Sequence, residues 1–272
     1  MPDGTASTSP ETSFNFDRVA DEYEATRYLP PVIADRVAGL VVGGAAEKDW
    51  FLDAGVGTGR LGRALTARHR YTVGVDISPR MLDRFRDATQ NASASPLLAL
   101  ADLRTLPFSD GAFSGILSVH VLHLIPEWQR ALGELWRVLR GGGTLTLGVE
   151  DWSASPTRQY FLGIASERGL FARSRRGAYS SDTVAALRAW TSDVDERRPP
   201  SLQWRHQIDA QTTLNALERR TYSSLWSIPD DAMTLLINET RQWAQEYYGV
   251  TNLRDVVELQ EARMTLYSAR KT

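Results

Sequence analysis

Three aspartates recur at the ends of short apolar runs, and they are the side chains best placed to do chemistry. Asp53, Asp76 and Asp102 each close a run with the length and composition of a buried strand. Parallel strands bring their carboxyl ends to one edge of a sheet, so the three carboxylates are expected to line one crevice. Because like charges in a crevice are costly without donors, the pattern predicts a ligand that offers an ammonium group, ribose hydroxyls and an amine.

Three glycines at alternate positions follow the first of these acids, beginning at Gly55, and a helix-like stretch starts at Arg60. Glycine suits a backbone that lies close to a ligand, and the start of a helix favours a carboxylate or phosphate. The six residues from Gly57 fit the G-x-G-x-x-G dinucleotide fingerprint. That fingerprint should start where the strand ends, however, and the sixth residue counted from Gly55 is Arg60. The spacing therefore disfavours a nicotinamide site.

Two histidines, His120 and His123, follow the fourth predicted strand at its tip. The ordinary pKa of histidine suits a general base near neutral pH, and a base is needed where an acceptor must lose a proton. Both residues are therefore candidate catalytic groups. The alternative role is structural, with His123 packed or hydrogen-bonded behind the strand.

The elements that must position these residues alternate between strand and helix up to residue 150. Apolar runs predict the strands, and amphipathic segments between them predict the helices. Gly141 to Gly143 are expected to end one helix before a fifth strand. This alternation is typical of right-handed crossovers, so the sequence predicts the α/β class with a doubly wound, mostly parallel sheet.

The composition limits the partners. The chain has 272 residues and a formal net charge of −2, so no overall basic field attracts nucleic acid. It contains no cysteine, which excludes disulfides, zinc–thiolate sites and thiol nucleophiles. No apolar run reaches the length of a membrane span, and the first residues lack a signal pattern. We expect a cytoplasmic protein that acts on a small molecule, and its oligomeric state stays open.

Together these segments resemble the class I S-adenosylmethionine-dependent methyltransferases, specifically their small-molecule group. The resemblance covers residues 14–150, and its motifs lie at 52–59, 74–82, 101–108, 121–123 and 134–143. It implies a seven-stranded, Rossmann-like sheet whose last strand, from Arg263 to Ala269, is antiparallel. It also implies S-adenosyl-L-methionine as the cofactor, with no metal.

The resemblance gives roles to the matching residues. Asp53 would hold the methionine part, Asp76 the ribose and Asp102 the adenine edge. Tyr23 and Arg27 match a Tyr-x-x-x-Arg lid motif, with Arg27 near the cofactor carboxylate. The complete set expected to bind the cofactor is Tyr23, Arg27, Asp53, Ala54, Gly55, Gly57, Gly59, Asp76, Ile77, Met81, Ala101, Asp102, Leu103, Ser118 and Val119.

The first residues are rich in Ser, Thr and Pro and have no apolar period, so a mobile tail is expected at 1–13. The resemblance implies a single methyltransferase domain at 14–272. Its expected parts are a helical N-terminal cap at 14–45, a cofactor-binding core at 46–150, a helical substrate lid inserted after strand 5 at 151–200, and the rest of the sheet and helices at 201–272. The expected function is transfer of a methyl group to an O, N or C atom of a small-molecule acceptor by in-line displacement. An aromatic-rich loop from Tyr222 to Pro229 is a candidate to face that acceptor.

Two other functions remain open at this point. A non-catalytic protein that binds S-adenosylmethionine or S-adenosylhomocysteine would carry the same cofactor motifs. A nicotinamide-dependent oxidoreductase would share the sheet, although the glycine spacing and Asp102 argue against it.

Overall fold

The computed structural model describes residues 27–69, 71–90, 92, 96–170 and 177–272. The predicted tail at 1–13, the first part of the predicted cap and Tyr23 lie outside the described residues. Within the cap region the structure has one helix, α1 (Pro31–Val42). This helix begins at a proline, which suits the first helical position because its backbone has no N–H to leave unsatisfied.

One sheet organises the described chain. Its strands are β1 (Phe51–Ala54), β2 (Thr72–Asp76), β3 (Leu97–Leu100), β4 (Phe113–Val119), β5 (Leu139–Trp152), β6 (Val194–Arg197), β7 (Gln203–Asp209) and β8 (Val257–Arg270). They lie in the order β3-β2-β1-β4-β5-β8-β6, and β7 also pairs with β8. The first five strands are parallel, and β8 is antiparallel to β5. The mostly parallel sheet with an antiparallel last strand is confirmed.

The strand count is eight in the described residues, where the resemblance implied seven. β8 is long enough for two short strands to pair with it one after the other along the same edge. Its carboxyl half pairs with β6 and its amino half pairs with β7. β6 has no buried residue in its four positions, so no apolar alternation marks it in the sequence.

Helices cover both faces of the sheet. The remaining helices are α2 (Gly62–Arg68), α3 (Pro79–Ala88), α4 (Trp128–Val138), α5 (Pro156–Glu167), α6 (Ser180–Trp190), α7 (Ala210–Glu218) and α8 (Asp230–Tyr248). Ile116 and Leu117 are neighbours on β4 and point to opposite faces. Ile116 belongs to a buried cluster with α4 and α6, and Leu117 belongs to a second cluster with α1 and α2. This is the predicted doubly wound arrangement.

Helix α5 packs with α7 and α8 rather than on the sheet. Phe161, Leu217 and Leu236 share one buried cluster, which we call the lid cluster. Helix α6 is different, because its Leu187 belongs to the core of the sheet. The helices of the segment 151–200 therefore pack in two places: α5 contacts α7 and α8, which follow that segment in the chain, and α6 contacts the sheet.

The three glycines before the fifth strand do not separate it from helix α4. β5 begins at Leu139, directly after the helix. The helix end is closed by Lys271, whose Nζ donates to the carbonyl oxygens of Trp136 and Leu139 at 2.6 and 2.7 Å. Gly142, with a φ of 76°, donates its N–H to the Lys271 carbonyl at 2.7 Å. A lysine beyond β8 thus provides the cap that the sequence assigned to glycine.

Candidate functional site

The glycine loop after β1 is shaped by three positive φ angles, at Gly55, Gly57 and Gly59. A Cβ on Gly55 would lie 2.2 Å from Val121 Cγ2, and one on Gly59 would lie 2.2 Å from Phe85 Cδ2. At Gly57, by contrast, a Cβ would meet no heavy atom within 4 Å. Gly55 and Gly59 are therefore required for packing, and Gly57 faces open space.

That open space is a groove of about 670 Å³ along the carboxyl edge of β1, β2 and β4. We call it the nucleoside groove. It collects most of the side chains that the sequence assigned to the cofactor. Its lining residues are Gly55, Gly57, Asp76, Ile77, Met81, Ala101, Asp102, Leu103, Val119, His120, Val121, Leu124 and Ile125.

A smaller pocket continues from the groove beneath the glycine loop, and Asp53, Thr58 and Arg60 line it. Asp53 Oδ2 and Thr58 Oγ1 are both buried and have no hydrogen-bond partner in the described part of the chain. The pKa of Asp53 is raised to about 7, because burial disfavours its charge and Asp76 repels it. A buried carboxylate and a buried hydroxyl without partners fit the ammonium and carboxylate ends of an amino acid, which would supply the missing donor and acceptor.

The sequence predicts that ligand donors satisfy all three strand-tip acids. Asp76 and Asp102 instead already accept hydrogen bonds from donors of the protein. Asp76 accepts the Gly57 N–H and the Ser78 N–H, each at 2.9 Å. Asp102 accepts its own neighbour, Arg104, through the backbone N–H at 2.9 Å and a two-pronged guanidinium contact. That guanidinium holds the pKa of Asp102 below its usual range. A ligand must share these two carboxylates, whereas Asp53 is available to it.

Ala54 and Ser118 support the loop from below. The buried Ser118 hydroxyl donates to the Ala54 carbonyl at 3.0 Å and so joins the ends of β1 and β4. Ala54 is fully buried and does not line the nucleoside groove. Of the predicted cofactor residues, Ala54 and Gly59 therefore shape the loop rather than its open surface.

A second groove, of about 1010 Å³, meets the nucleoside groove at His120 and Val121. We call it the acceptor groove. Arg27, Ser118 and His123 line it, together with Tyr179 and Thr183 at the start of α6. The two grooves are therefore connected, with His120 at their junction.

His120 is held in a form that does not suit a general base. It is in the left-handed region, with a φ of 57°. Its Nε2 accepts the Glu150 N–H at 2.8 Å, so the proton of the neutral ring is on Nδ1. Burial is the main reason that the pKa of His120 is lowered to about 3; the charges of Arg27 and Arg60 act in the same direction, and the charge of Glu150 opposes them. This geometry supports the structural role over the catalytic one.

His123 stands edge-on to the His120 ring, with 5.8 Å between the ring centroids. Its pKa also lies below the ordinary value, because desolvation and the positive charge of Arg27 disfavour the protonated form. It lines the acceptor groove as a neutral side chain at neutral pH.

An ion pair that sequence reasoning missed lies under the junction of the grooves. Arg60 pairs with Glu150, whose side chain is fully buried, and it also donates to the Arg27 carbonyl at 2.5 Å. Trp152 Nε1 donates to the other oxygen of Glu150 at 3.1 Å. The arginine charge keeps the pKa of Glu150 below its usual value despite the burial. A signal was present, since Glu150 is another acid near the end of a predicted strand.

Comparison with known proteins agrees with this geometry. A family model described as a methyltransferase domain matches residues 52–147. Residues 52–147 are thus similar to a methyltransferase domain, in line with the resemblance to the class I methyltransferases. This segment holds the glycine loop, the three strand-tip acids, His120 and His123. S-Adenosylmethionine is the cofactor of that class, and the unpartnered Asp53 and Thr58 fit its amino-acid end.

Similar proteins extend over different parts of the chain. A malonyl-[acyl-carrier protein] O-methyltransferase of Serratia marcescens is 33% identical over 48% of this chain and 49% of its own length. An uncharacterized methyltransferase of Mycobacterium bovis is 28% identical over 89% of this chain and 90% of its own. The chain thus spans about half the length of the Serratia relative.

Among solved structures, a methyltransferase from Anaeromyxobacter dehalogenans described as type II superposes with a TM-score of 0.57. It has 17% identity, and the match covers 88% of this chain and 96% of that one. At this identity the likeness shows the fold alone. No helix of the described residues has the length and apolar character needed to cross a membrane.

Proposed function

We propose that the protein transfers the methyl group of S-adenosylmethionine to a small-molecule acceptor. The observation that carries the proposal is the pair of buried, unpartnered polar atoms, Asp53 Oδ2 and Thr58 Oγ1, at one end of the nucleoside groove. An amino acid joined to a nucleoside has a polar end that would satisfy these atoms and a base that would enter the adjoining groove.

The cofactor residues follow from the same spaces. Asp53 would receive the ammonium group, and Thr58 and the loop would face the carboxylate. Asp76 would share its carboxylate with the ribose hydroxyls, and Ile77 and Leu103 would enclose the base. Arg27 and Tyr23 stay candidates from the sequence motif for closing the site, and of the two the structure describes only Arg27.

When bound, S-adenosylmethionine supplies a methyl group on a positively charged sulfur, which makes the methyl group ready for displacement. The protein has to align the acceptor and exclude water. Val119 and Val121 provide apolar walls where the two grooves meet. Since His120 and His123 are neutral with lowered pKa values, we propose acceptors whose nucleophile needs no strong protein base.

The first experiment is titration of the protein with S-adenosylhomocysteine by calorimetry, with NADH as the competing candidate. We expect binding of S-adenosylhomocysteine and none of NADH. The second experiment is turnover of radiolabelled S-adenosylmethionine with phenols, amines and carboxylic acids. Binding without turnover of any acceptor would favour the non-catalytic alternative. NADH binding without S-adenosylhomocysteine binding would overturn the proposal.

A further inference from the structure

Two arginines lie against one tyrosine ring between the acceptor groove and the lid cluster. The guanidinium carbon of Arg158, in the first turn of α5, is 4.0 Å from the centroid of the Tyr222 ring. The guanidinium carbon of Arg27 is 5.3 Å from the same centroid. Tyr222 is itself buried, and it begins the aromatic-rich loop that the sequence analysis singled out. The ring therefore fixes both cations in one place.

Arg158 has no carboxylate partner among the described residues. Its Nε is buried and makes no hydrogen bond. The pKa of Arg158 is lowered because burial disfavours its charge and Arg27 repels it. The Tyr222 ring offsets part of this cost, since the negative face of an aromatic ring attracts a cation. The ring is not an anion, so two like charges beside it remain without a carboxylate in salt-bridge contact among the described residues.

The position of Arg27 connects this pair to the site. Arg27 lines the acceptor groove. Its charge also acts on His120, His123 and Glu150, all three at or beside the junction of the grooves. The other arginine at the junction, Arg60, is already paired with Glu150. Among the described residues, the two arginines at the Tyr222 ring, Arg27 and Arg158, form no salt bridge with a carboxylate.

We infer that Arg158, together with Arg27, receives an anionic group of the methyl acceptor, a carboxylate or a phosphate. This inference rests on the proposed function, because it assigns the acceptor groove to the acceptor. The fork of N–H donors on a guanidinium matches both anions. The cofactor also has a carboxylate, so an anion bound at these arginines could belong to the cofactor or to the acceptor. The inference assigns the acceptor's anion to Arg158.

The test uses the full chain saturated with S-adenosylhomocysteine, so that the cofactor carboxylate is already in place. Inorganic phosphate and benzoate are the anionic probes, benzamide is the uncharged match for benzoate, and sodium chloride keeps the ionic strength constant. Thermal melting and calorimetry are measured for the wild type, Arg158→Gln, Arg158→Lys and Arg188→Gln. Arg188 is an exposed arginine of α6 without an ion pair among the described residues, so its variant controls for loss of one positive charge.

We expect phosphate and benzoate to raise the melting temperature of the wild type and of Arg188→Gln, and benzamide to leave it unchanged. Arg158→Gln should weaken phosphate binding about tenfold, the effect of one lost hydrogen-bonded charge contact, and Arg158→Lys should recover part of it. Both Arg158 variants should fold, because Gln removes an uncompensated charge and Lys keeps it.

Three results would overturn the inference. The first is equal phosphate affinity in the wild type and Arg158→Gln, and the second is no phosphate binding to the wild type. The third is a loss of S-adenosylhomocysteine affinity in Arg158→Gln that accounts for the loss of phosphate binding, which would assign the cofactor carboxylate to Arg158. A protein that binds no S-adenosylhomocysteine at all would instead contradict the proposed function, and this outcome is measured separately.

Discussion

Asp53 is the residue at which burial and charge conflict most strongly. Its carboxylate has one oxygen without a partner, and Asp76 adds repulsion. Since its pKa is raised above the unfolded value to about 7, the carboxyl group favours the folded state at low pH, and this contribution is lost as the pH rises through 7. The unliganded protein thus gives up stability to keep an anion ready for a ligand.

The first prediction concerns the pH dependence of cofactor binding. An ammonium group favours the ionised carboxylate, so S-adenosylhomocysteine should bind with release of a proton from Asp53. Its affinity should rise between about pH 6 and pH 7 and level off above that value, by up to about tenfold per pH unit. Calorimetry at several pH values measures this, with Asp53→Asn as the control that should bind weakly at every pH. The same pH dependence in that variant would remove Asp53 from the amino-acid end of the site.

The second prediction concerns Gly57, where an alanine would both strain the backbone and reduce the space for a ligand. Gly57→Ala should destabilise the fold by about 1–2 kcal/mol because of the positive φ, and it should place a methyl group in the open groove. Gly44 is the matched control, since it has a φ of 77° and free space but lies outside the grooves. Urea denaturation should give similar losses for both alanine variants, and only Gly57→Ala should lose S-adenosylhomocysteine affinity. Equal affinities would mean that the ligand does not approach Gly57.

At the scale of elements, Glu258 connects the lid cluster to the sheet. This buried residue of β8 accepts the Thr157 N–H at 2.8 Å, the Thr157 hydroxyl at 2.6 Å and the Tyr248 hydroxyl at 2.8 Å. One carboxylate thus holds the first turn of α5 and the end of α8. Because Arg158 follows Thr157 by one residue, the same contact positions the proposed anion site.

The third prediction is that Glu258→Gln loosens the lid cluster. A glutamine side chain brings two donors to a place where the neighbours already donate, so the cost should be about 1–3 kcal/mol. Hydrogen exchange should become faster in α5 and α8, while S-adenosylhomocysteine affinity changes little. Glu261→Gln is the control on the same strand, because the Glu261 side chain forms an exposed pair with Arg205 at 3.2 Å and is not part of the lid cluster. Equal exchange rates in the two variants would show that Glu258 does not hold the lid.

The sequence could predict the main elements because their patterns are local. An apolar run that ends in an acid places Asp53, Asp76 and Asp102 at one edge, and the period of α4 predicts its buried face. The pairing of Asp102 with Arg104 depends on the conformation of a loop, and the tautomer of His120 depends on a strand 30 residues further on. Contacts of this kind are set by tertiary structure and leave no periodic signal.

At the scale of the whole molecule, one buried network joins distant parts of the chain. The Arg60–Glu150 pair links the loop after β1 to β5, while His120 and the Arg27 carbonyl bring in β4 and the residues before α1. An intact buried ion pair adds little net stability to a fold. Removal of one partner is strongly destabilising, because it leaves the other charge buried without that partner.

The fourth prediction follows from that asymmetry. Glu150→Gln removes the negative charge that Glu150 supplies to the Arg60 guanidinium in a buried position, so the free energy of unfolding should fall by about 3–5 kcal/mol. Asp35→Asn is the control, since it breaks the exposed Asp35–Arg68 pair and should change stability little. Urea denaturation of both variants measures the difference. Similar small changes would mean that Arg60 finds other partners or water.

The arrangement around β8 has a consequence for how this protein is made. β6 and β7 pair only with β8 in the described sheet, and Glu258, which holds α5 and α8, belongs to the same strand. During synthesis, therefore, β1 to β5 can associate as soon as they leave the ribosome, whereas β6, β7 and the lid helices must wait for residues 257–270. The half that surrounds the nucleoside groove is expected to mature first, and the half that contains the lid cluster is expected to be completed by the last strand.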